Sequence, residues 1–122
     1  MREETIDPID AKIKALSEKD PSTHGRIRAM DEGYKLWDAE LNRVYRETLT
    51  AMHPADRAAL VSAQKAWLVF RDREFSLQSA LLNRLRGTMY GPIRIARRME
   101  IVRQRALQLR DLREFVRDHT GK

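Results

Sequence analysis

Residues 27–52 read IRAMDEGYKLWDAELNRVYRETLTAM, and this stretch decides the fold class. Its apolar residues recur at alternating intervals of three and four positions, so they share one face of an α-helix. That face consists of Ile27, Met30, Tyr34, Trp37, Leu41, Val44, Thr48 and Met52. The pattern predicts a long amphipathic helix that ends near Met52. Gly33 lies inside it and costs about 1 kcal/mol relative to alanine, which indicates a close contact or a slight bend there.

Helix-capping and helix-breaking residues predict a shorter helix before this stretch and a long one after it. Asp7 and Pro8 are typical of a helix start, and Asp20-Pro21 stops the apolar pattern, which predicts a short helix over residues 8–19. Pro54 opens a third helix after the break at His53-Pro54. We expect its buried line to contain Leu60, Ala63, Trp67, Phe70, Glu74, Leu77, Leu81 and Leu85.

A glycine- and proline-bounded loop over residues 87–92 precedes the last predicted helix. The apolar face of that helix consists of Ile95, Met99, Val102, Ala106, Leu109, Leu112 and Val116. Strand alternation and internal repeats are both missing. The sequence therefore predicts an all-α protein, in which one short and three long helices pack as a single helical bundle. We expect one domain over residues 1–122, with frayed ends at about 1–6 and 119–122.

The charge distribution favours acidic partners. The chain has 122 residues and a formal net charge of +6, and ten arginines face only four acids between Arg84 and Asp118. Such an excess is typical of proteins that bind nucleic acid, an anionic membrane face or an acidic cleft on another protein. No apolar run approaches the roughly 20 residues of a membrane span, and the acidic first ten residues differ from a signal peptide. We therefore expect a soluble chain without a transmembrane segment.

The inventory of reactive residues predicts no catalytic residue, no metal site and no cofactor site. The absence of cysteine excludes disulfides, thiolate zinc sites and cysteine nucleophiles. His24, His53 and His119 form no HExxH or ExxH pair, the glycines form no phosphate-binding loop, and no serine lies in a GxSxG turn. We therefore expect a protein that is not an enzyme.

Arginines flank the predicted loop and mark a candidate partner-binding surface. Clustered guanidinium groups suit phosphates or carboxylates, and an aromatic ring in the loop offers a stacking surface. The candidate residues are Arg86, Thr88, Met89, Tyr90, Arg94, Arg97 and Arg98. The alternative is that these arginines cover helix flanks and pair with acids elsewhere in the domain. Aromatic residues do not alternate with the arginines as they do in single-strand nucleic-acid binders, so nucleic acid is the less favoured partner.

Two polar stripes predict how the second and third helices meet. Gln64, Trp67 and Arg71 share one face of the third helix, with Asp72 beside them, and Asp38, Asn42 and Tyr45 form a comparable stripe on the second helix. We expect the stripes to interlock, with Trp67 in the core. Asp38 and Glu74 are the anions expected to pair with Arg71. The alternative is that the stripe lines a ligand groove.

These residues also resemble a known family. The motifs, in chain order, are Trp37 to Tyr45, then Leu60, Ala63-Gln64, Trp67 and Arg71-Asp72, then Gly87-Thr88-Met89 and Arg105. Their order is similar to that in the LprI-like lysozyme-inhibitor family, over roughly residues 7–112. The resemblance implies an all-helical, non-enzymatic bacterial envelope protein, periplasmic or secreted. It also implies a protein partner, such as a lysozyme or another cell-wall hydrolase.

The resemblance identifies a signature set for which we expect a mainly structural role: Asp38, Leu41, Asn42, Tyr45, Gln64, Trp67, Arg71, Asp72 and Arg105. Family members usually carry cysteines near the positions of Ala15, Ala29, Phe75 and Arg97 or Arg98, and this chain has none. That departure leaves a cytoplasmic location open. The leading hypothesis is binding, with inhibition, of a lysozyme-type hydrolase. The alternatives are a polyanion or nucleic-acid binder that uses the arginine-rich C-terminal third, and a helical module that dimerises.

Overall fold

Four helices account for most of the chain. The structure is a computed structural model, and it describes residues 5–85 and 90–119. The helices are α1 (Pro8–Lys19), α2 (Thr23–Ala51), α3 (Arg57–Leu82) and α4 (Tyr90–His119), and a 3-10 turn (Pro54–Asp56) precedes α3. The predicted all-α bundle of one short and three long helices is thus confirmed. No helix within the described ranges is long and apolar enough to cross a membrane.

The helix starts follow the predicted capping chemistry. The Asp7 side chain accepts a hydrogen bond from the Ile9 backbone N–H at 2.9 Å, and Ser22 Oγ accepts one from Gly25 N–H at 3.0 Å. His53 Nδ1 accepts from the Ala55 N–H at 3.0 Å and so caps the 3-10 turn. Each cap satisfies a backbone donor that has no partner inside its own helix.

Two helix ends differ from the prediction. α4 begins at Tyr90, so residues 90–92 are helical rather than part of the loop, because proline is tolerated in the first turn of a helix. His119, expected to fray, is the last residue of α4. Its ring stacks on Phe115 with centroids 4.3 Å apart, and its Nδ1 lies 2.8 Å from the Phe115 carbonyl oxygen. The other residues predicted at frayed ends, 1–4 and 120–122, lie outside the described residues.

The core forms between α2 and α4, which run parallel and have the most extensive contact of any helix pair. Contacts between them pair Gly33 with Met99 and, further along both helices, Glu47 with Arg113. The buried side chains that fill this contact include Trp37, Leu41, Val44, Val102, Ala106 and Leu109, each at most 2% exposed. Thr48 is also buried, and its hydroxyl donates to the Val44 carbonyl oxygen at 2.7 Å. The predicted apolar faces of α2 and α4 are therefore the ones that pack.

A groove of small residues on α2 receives α1, which runs antiparallel to it. Gly25, Ala29 and Gly33 are buried at intervals of four along one face of α2. A Cβ atom on Gly33 would lie 2.6 Å from both Ile13 Cδ1 and Met99 Sδ. The close contact expected at Gly33 is therefore present, and it involves α1 and α4 at once.

The packing of α3 differs from the prediction. α3 runs antiparallel to α4 and contacts mainly that helix. Leu60, Gln64 and Leu82 are its buried residues. Most of the predicted buried line lies instead at the surface: Phe70, Leu77 and Leu81 are 51%, 52% and 58% exposed, and Leu85, which follows the helix, is 48% exposed. The prediction failed because α3 carries apolar residues on two adjacent faces, and only one of them meets α4.

Candidate functional site

Three arginines and two aromatic rings meet where α3 lies against α4. We call this group the arginine–aromatic cluster: Trp67, Arg71 and Phe75 of α3, and Arg98 and Arg105 of α4. The guanidinium carbon of Arg98 lies 5.1 Å from the centroid of the Phe75 ring, and that of Arg105 lies 6.0 Å from the Trp67 ring. At these distances a cation is attracted to the electron-rich face of an aromatic ring. The cluster therefore holds α3 against α4 by cation–π contacts.

Polar side chains orient the arginines of the cluster. Arg105 Nε donates to Gln64 Oε1 at 2.9 Å, and Arg98 Nη2 donates to Ser79 Oγ at 3.1 Å. Arg105 has no carboxylate partner among the described residues, and burial lowers the pKa of its guanidinium. Because neutral oxygens hold Arg98 and Arg105, these two guanidinium groups keep their positive charge at the α3–α4 boundary.

Arg71 binds a different anion from the one predicted. Its Nη2 donates to Asp72 Oδ1 at 2.8 Å, so the guanidinium is paired with its sequence neighbour rather than with Asp38 or Glu74. The same guanidinium carbon lies 5.8 Å from the Trp67 and Phe75 rings. The prediction failed because it assumed close interlocking of α2 and α3, whereas α3 leans on α4.

α2 contributes an aromatic ring to the edge of the cluster. The rings of Tyr34 and Phe75 have centroids 6.3 Å apart. Burial, and after it the Asp38 carboxylate, raises the pKa of the Tyr34 phenol. Trp67 is partly buried against the core rather than fully inside it. α2 and α3 thus approach each other here through Tyr34 and Phe75, which belong to neither of the predicted stripes.

The predicted partner-binding residues divide into two groups. Arg86, Thr88 and Met89, together with the side chain of Tyr90, lie outside the described residues. Arg94, Arg97 and Arg98 occupy the first turns of α4. Arg94 Nη2 donates to Asn83 Oδ1 at 2.8 Å, which joins the start of α4 to the segment after α3. Arg97 is exposed and has no hydrogen-bond or ion-pair partner within residues 5–85 and 90–119.

Within the described residues, no hydrogen bond, ion pair or ring contact joins the signature residues of α2 to the cluster. Leu41 is 2% exposed and belongs to the core, and Tyr45 packs against that core from a partly buried position. Asn42 is exposed and Asp38 is half-buried. The structure thus brings together Gln64, Trp67, Arg71, Asp72 and Arg105, but not Asn42 or Tyr45.

Sequence reasoning missed a second polar cluster, which we call the aspartate anchor: Asp7 and Asp10 of α1, Trp37 of α2, and Arg103 and Arg110 of α4. Trp37 is fully buried, and the guanidinium carbons of Arg103 and Arg110 lie 5.5 Å and 5.1 Å from its ring centroid. Arg103 Nη2 donates to Asp10 Oδ2 at 2.8 Å, and Arg110 donates to Asp7. The hydrogen bond to Asp10 raises the pKa of Arg103.

The aspartate anchor continues into an ion-pair chain along α2 and α4. Arg110 Nε donates to Glu40 Oε2 at 2.8 Å, and Arg113 Nη1 donates to Glu47 Oε1 at 2.7 Å. The sequence carries one signal for the anchor: the aspartates are three residues apart and the arginines seven, so each pair shares a helix face. More than ninety residues separate the two pairs, and no local pattern links them.

Both clusters are built from charged and aromatic side chains. Among the residues that the structure describes, no three histidine, aspartate or glutamate side chains are arranged to hold a metal ion. A cleft of about 680 Å³ lies between α1 and α2, lined in part by Leu16, Gly25 and Ala29 and by Lys12 and Lys19. None of the predicted site residues lines it. The arginine–aromatic cluster and the neighbouring start of α4 are therefore the candidate functional site.

The chain is similar to known proteins in both sequence and fold. An uncharacterised protein of Rhizobium meliloti (strain 1021) is 31% identical, over 69% of this chain and 68% of that protein. The crystal structure of an uncharacterised protein from Burkholderia thailandensis is similar in fold, with a TM-score of 0.86 and 29% identity. The similarity covers 94% of this chain, which spans only 58% of the Burkholderia chain. The family model described as "Lysozyme inhibitor LprI" matches residues 15–109, and the chain belongs to that family.

Proposed function

We propose that this chain is a non-enzymatic bacterial envelope protein that binds a lysozyme-type cell-wall hydrolase and inhibits it by occupying its cleft. Membership of a family described as lysozyme inhibitors carries the proposal. A periplasmic or secreted location follows from the same membership. The partner is a protein, and the chain itself needs no cofactor.

The start of α4 offers the groups that such a cleft would accept. Glycoside hydrolases of this type place two carboxylates beside the bond they cut. A guanidinium group binds a carboxylate through two parallel hydrogen bonds, which gives both strength and orientation. Arg97 is exposed, and Arg94 is held in position by Asn83. We propose that these two arginines, with Arg98 and the preceding sequence segment 86–90, form the inhibitory surface.

The net charge of the chain restricts which hydrolases it can bind. The chain carries +6, and many lysozymes are themselves basic, so the two proteins would repel each other at long range. An acidic hydrolase would instead be attracted and would associate faster at low salt. We therefore propose an acidic member of the lysozyme-type hydrolases as the target.

The signature residues have, in this proposal, a mainly structural role. Gln64 is only 6% exposed and orients Arg105, while Arg71 and Asp72 pair on the surface of α3. The contact between Gln64 and Arg105 joins α3 to α4 within the bundle, and the pair of Arg71 and Asp72 lies within α3. The residues of the signature therefore support the inhibitory surface without forming it.

A lysis assay tests the proposal. Peptidoglycan suspensions are treated with acidic and basic lysozyme-type hydrolases, with and without the protein, and the fall in turbidity is recorded. We expect inhibition of at least one acidic hydrolase and its co-elution with the protein on gel filtration. The Arg94→Ala/Arg97→Ala variant should inhibit more weakly.

The control variant is Arg46→Ala/Lys65→Ala, which removes two exposed cations that have no ion pair within the described ranges. It should inhibit like the wild type, because it changes the net charge equally and leaves the start of α4 intact. Unchanged lysis rates with every hydrolase, together with no co-elution, would contradict the proposed function.

The second candidate is a polyanion or nucleic-acid binder, favoured by the ten arginines between Arg84 and Arg117. Binding to DNA or heparin would then weaken steeply between low and physiological salt, because each phosphate contact releases counterions. Equal retention on heparin of the wild type and an Arg94→Ala/Arg97→Ala/Arg98→Ala variant would exclude this surface.

A further inference from the structure

One end of the bundle combines positive charge with exposed aliphatic side chains. The turn between α1 and α2 lies at this end, beside the end of α3 and the start of α4. A Cβ atom on Gly91 would lie 3.4 Å from Ile27 Cδ1, and Arg94 bonds Asn83 at 2.8 Å, so these segments are neighbours. We call the described residues 18–28, 81–85 and 90–97 the basic end.

The charge of the basic end contrasts with that of the opposite end. The basic end contains six arginines and lysines against two acids, namely Lys19, Arg26, Arg28, Arg84, Arg94 and Arg97 against Glu18 and Asp20. The opposite end, residues 46–60 and 110–119, contains five arginines and five acids. Ion pairs form at both ends, Arg113 with Glu47 there and Arg28 with Asp20 at the basic end, each at 2.7 Å, but only the basic end keeps an excess of cations, which is four by this count. The molecule is therefore electrically polarised along the bundle axis.

Aliphatic side chains project from the same basic end. Leu81, Leu85 and Ile93 are 58%, 48% and 37% exposed. Arg84 lies between the two leucines in sequence, and Arg94 follows Ile93 directly. An exposed apolar group surrounded by cations marks an interaction surface rather than a surface turned only to water.

We propose that the basic end docks on an anionic phospholipid bilayer. Arginine binds lipid phosphates, and aliphatic tips enter the boundary between headgroups and acyl chains, so a bilayer satisfies both kinds of side chain at once. Nucleic acid would satisfy only the arginines, because it offers leucine and isoleucine no apolar layer. The described side chains of the basic end also include no phenylalanine, tyrosine or tryptophan ring, and the His24 imidazole is the one aromatic group among them on which a base could stack.

This docking goes beyond the proposed inhibition and does not depend on it. It uses Arg94 and Arg97, which also form the proposed inhibitory surface, so one molecule engages either the bilayer or a hydrolase at a time. It would hold the protein at the membrane surface with α1, α2, α3 and α4 running away from the bilayer, and it requires no membrane-spanning helix. The attraction should weaken with salt, because exposed charges are screened over about 10 Å at roughly 0.1 M ionic strength.

Vesicle flotation with the full chain tests the proposal. The probes are vesicles of phosphatidylglycerol mixed with phosphatidylcholine, and vesicles of phosphatidylcholine alone. We expect binding to the anionic vesicles only. The Arg84→Gln/Arg97→Gln variant should bind roughly thirtyfold more weakly, since each arginine near an anionic surface contributes roughly a fivefold gain. Leu81→Ser should weaken binding roughly tenfold through the loss of apolar burial.

Matched controls come from outside the basic end. Phe115 is 58% exposed at the opposite end, as exposed as Leu81, so Phe115→Ser should bind like the wild type. Arg46→Gln/Lys65→Gln removes the same charge as the arginine variant and should retain most of the binding. Circular dichroism checks that each variant is helical, and Ile93→Ser replaces Leu81→Ser if the latter unfolds.

Three results would overturn the docking proposal. The first is no binding to anionic vesicles, and the second is equal binding to phosphatidylcholine alone. The third is binding that falls in the arginine variant but is unchanged in both Leu81→Ser and Ile93→Ser, which would identify a purely electrostatic polyanion surface. Because the vesicles contain no hydrolase, none of these results bears on the proposed inhibition.

Discussion

The indole Nε1 of Trp37 donates a hydrogen bond to Asp10 Oδ1 at 3.2 Å, which connects a fully buried ring of α2 to the first turn of α1. The same carboxylate accepts hydrogen bonds from Arg103 of α4, the shortest at 2.8 Å. One aspartate therefore connects three helices. It also explains how a helix of only 12 residues keeps a fixed position on the bundle.

Asp10→Ala should lower the free energy of unfolding by about 2 kcal/mol, because the indole loses its acceptor and Arg103 keeps only the 3.3 Å hydrogen bond to Glu100. Urea unfolding at neutral pH measures the change. The control is Asp31→Ala, whose ion pair with Lys35 is 3.4 Å long and exposed, so its removal should cost at most about 0.5 kcal/mol. Equal effects of the two substitutions would show that Asp10 does not anchor α1.

The two tryptophans should differ in their contribution to stability. Trp37 is fully buried, so Trp37→Ala should cost about 4 kcal/mol or unfold the chain. Trp67 was expected in the core, but it is only partly buried and lies beside Arg71 and Arg105, so we now expect Trp67→Ala to cost about 2 kcal/mol. Thermal and urea unfolding of the two variants measure these losses of stability. A larger loss for Trp67→Ala would contradict the order of burial.

The ionisation of Asp7 should make stability depend on pH. Burial acts to raise the pKa of Asp7, but hydrogen bonds from Arg110 and from the Ile9 N–H, with the nearby arginine charges, lower it below the ordinary 3.8. The folded state therefore keeps this carboxylate ionised to lower pH than the unfolded chain does. Its stabilisation is complete above the unfolded pKa and is lost as pH falls through the folded pKa.

The measurement is the free energy of unfolding of wild type and Asp7→Asn between roughly pH 6 and pH 2. The variant should be less stable at pH 6, and the difference should shrink as the pH falls below about 4. Asp31→Asn, which removes an exposed charge, is the control and should leave the curve almost unchanged. A difference that stays constant down to the lowest pH would exclude the role of Asp7 ionisation.

The two buried glycines of α2 should tolerate alanine unequally. A Cβ atom on Gly25 would lie 2.2 Å from the backbone oxygen of Asp20, and backbone cannot easily move aside. A Cβ atom on Gly33 would meet the ends of the Ile13 and Met99 side chains, which can rotate. We expect Gly25→Ala to cost about 3 kcal/mol and Gly33→Ala about 1 kcal/mol, since helix propensity partly offsets the second clash. Melting temperatures that reverse this order would contradict the geometry.

The sequence predicted those features that local patterns control. The bounds of α1 and the buried faces of α2 and α4 follow from caps and from apolar spacing, and these elements match the structure. The face of α3 was predicted wrongly, because Phe70, Leu77 and Leu81 form as regular a line as the residues that pack. Which line is buried depends on where α4 lies, and that information is not local.

The same limit applies to the candidate site. Gln64, Trp67 and Arg71 were recognised because they share one face of α3, but the partner of Gln64 is Arg105, 41 residues away. The aspartate anchor was missed for the same reason, since its ion pairs join residues about a hundred positions apart. The packing of the helices decides which distant acid each arginine pairs with. A single sequence with ten arginines in one segment does not show which pairs form.

The limited packing of α3 has a consequence for how the molecule opens. α1, α2 and α4 share the core and the aspartate anchor, whereas α3 contacts mainly α4 and leaves one apolar face in solvent. Segments with few buried contacts open with less free energy than the global unfolding reaction. Amide hydrogens of α3 should therefore exchange with solvent ahead of those of α2 and α4. α3, which carries four of the nine signature residues, is thus also the helix best able to rearrange when a partner binds.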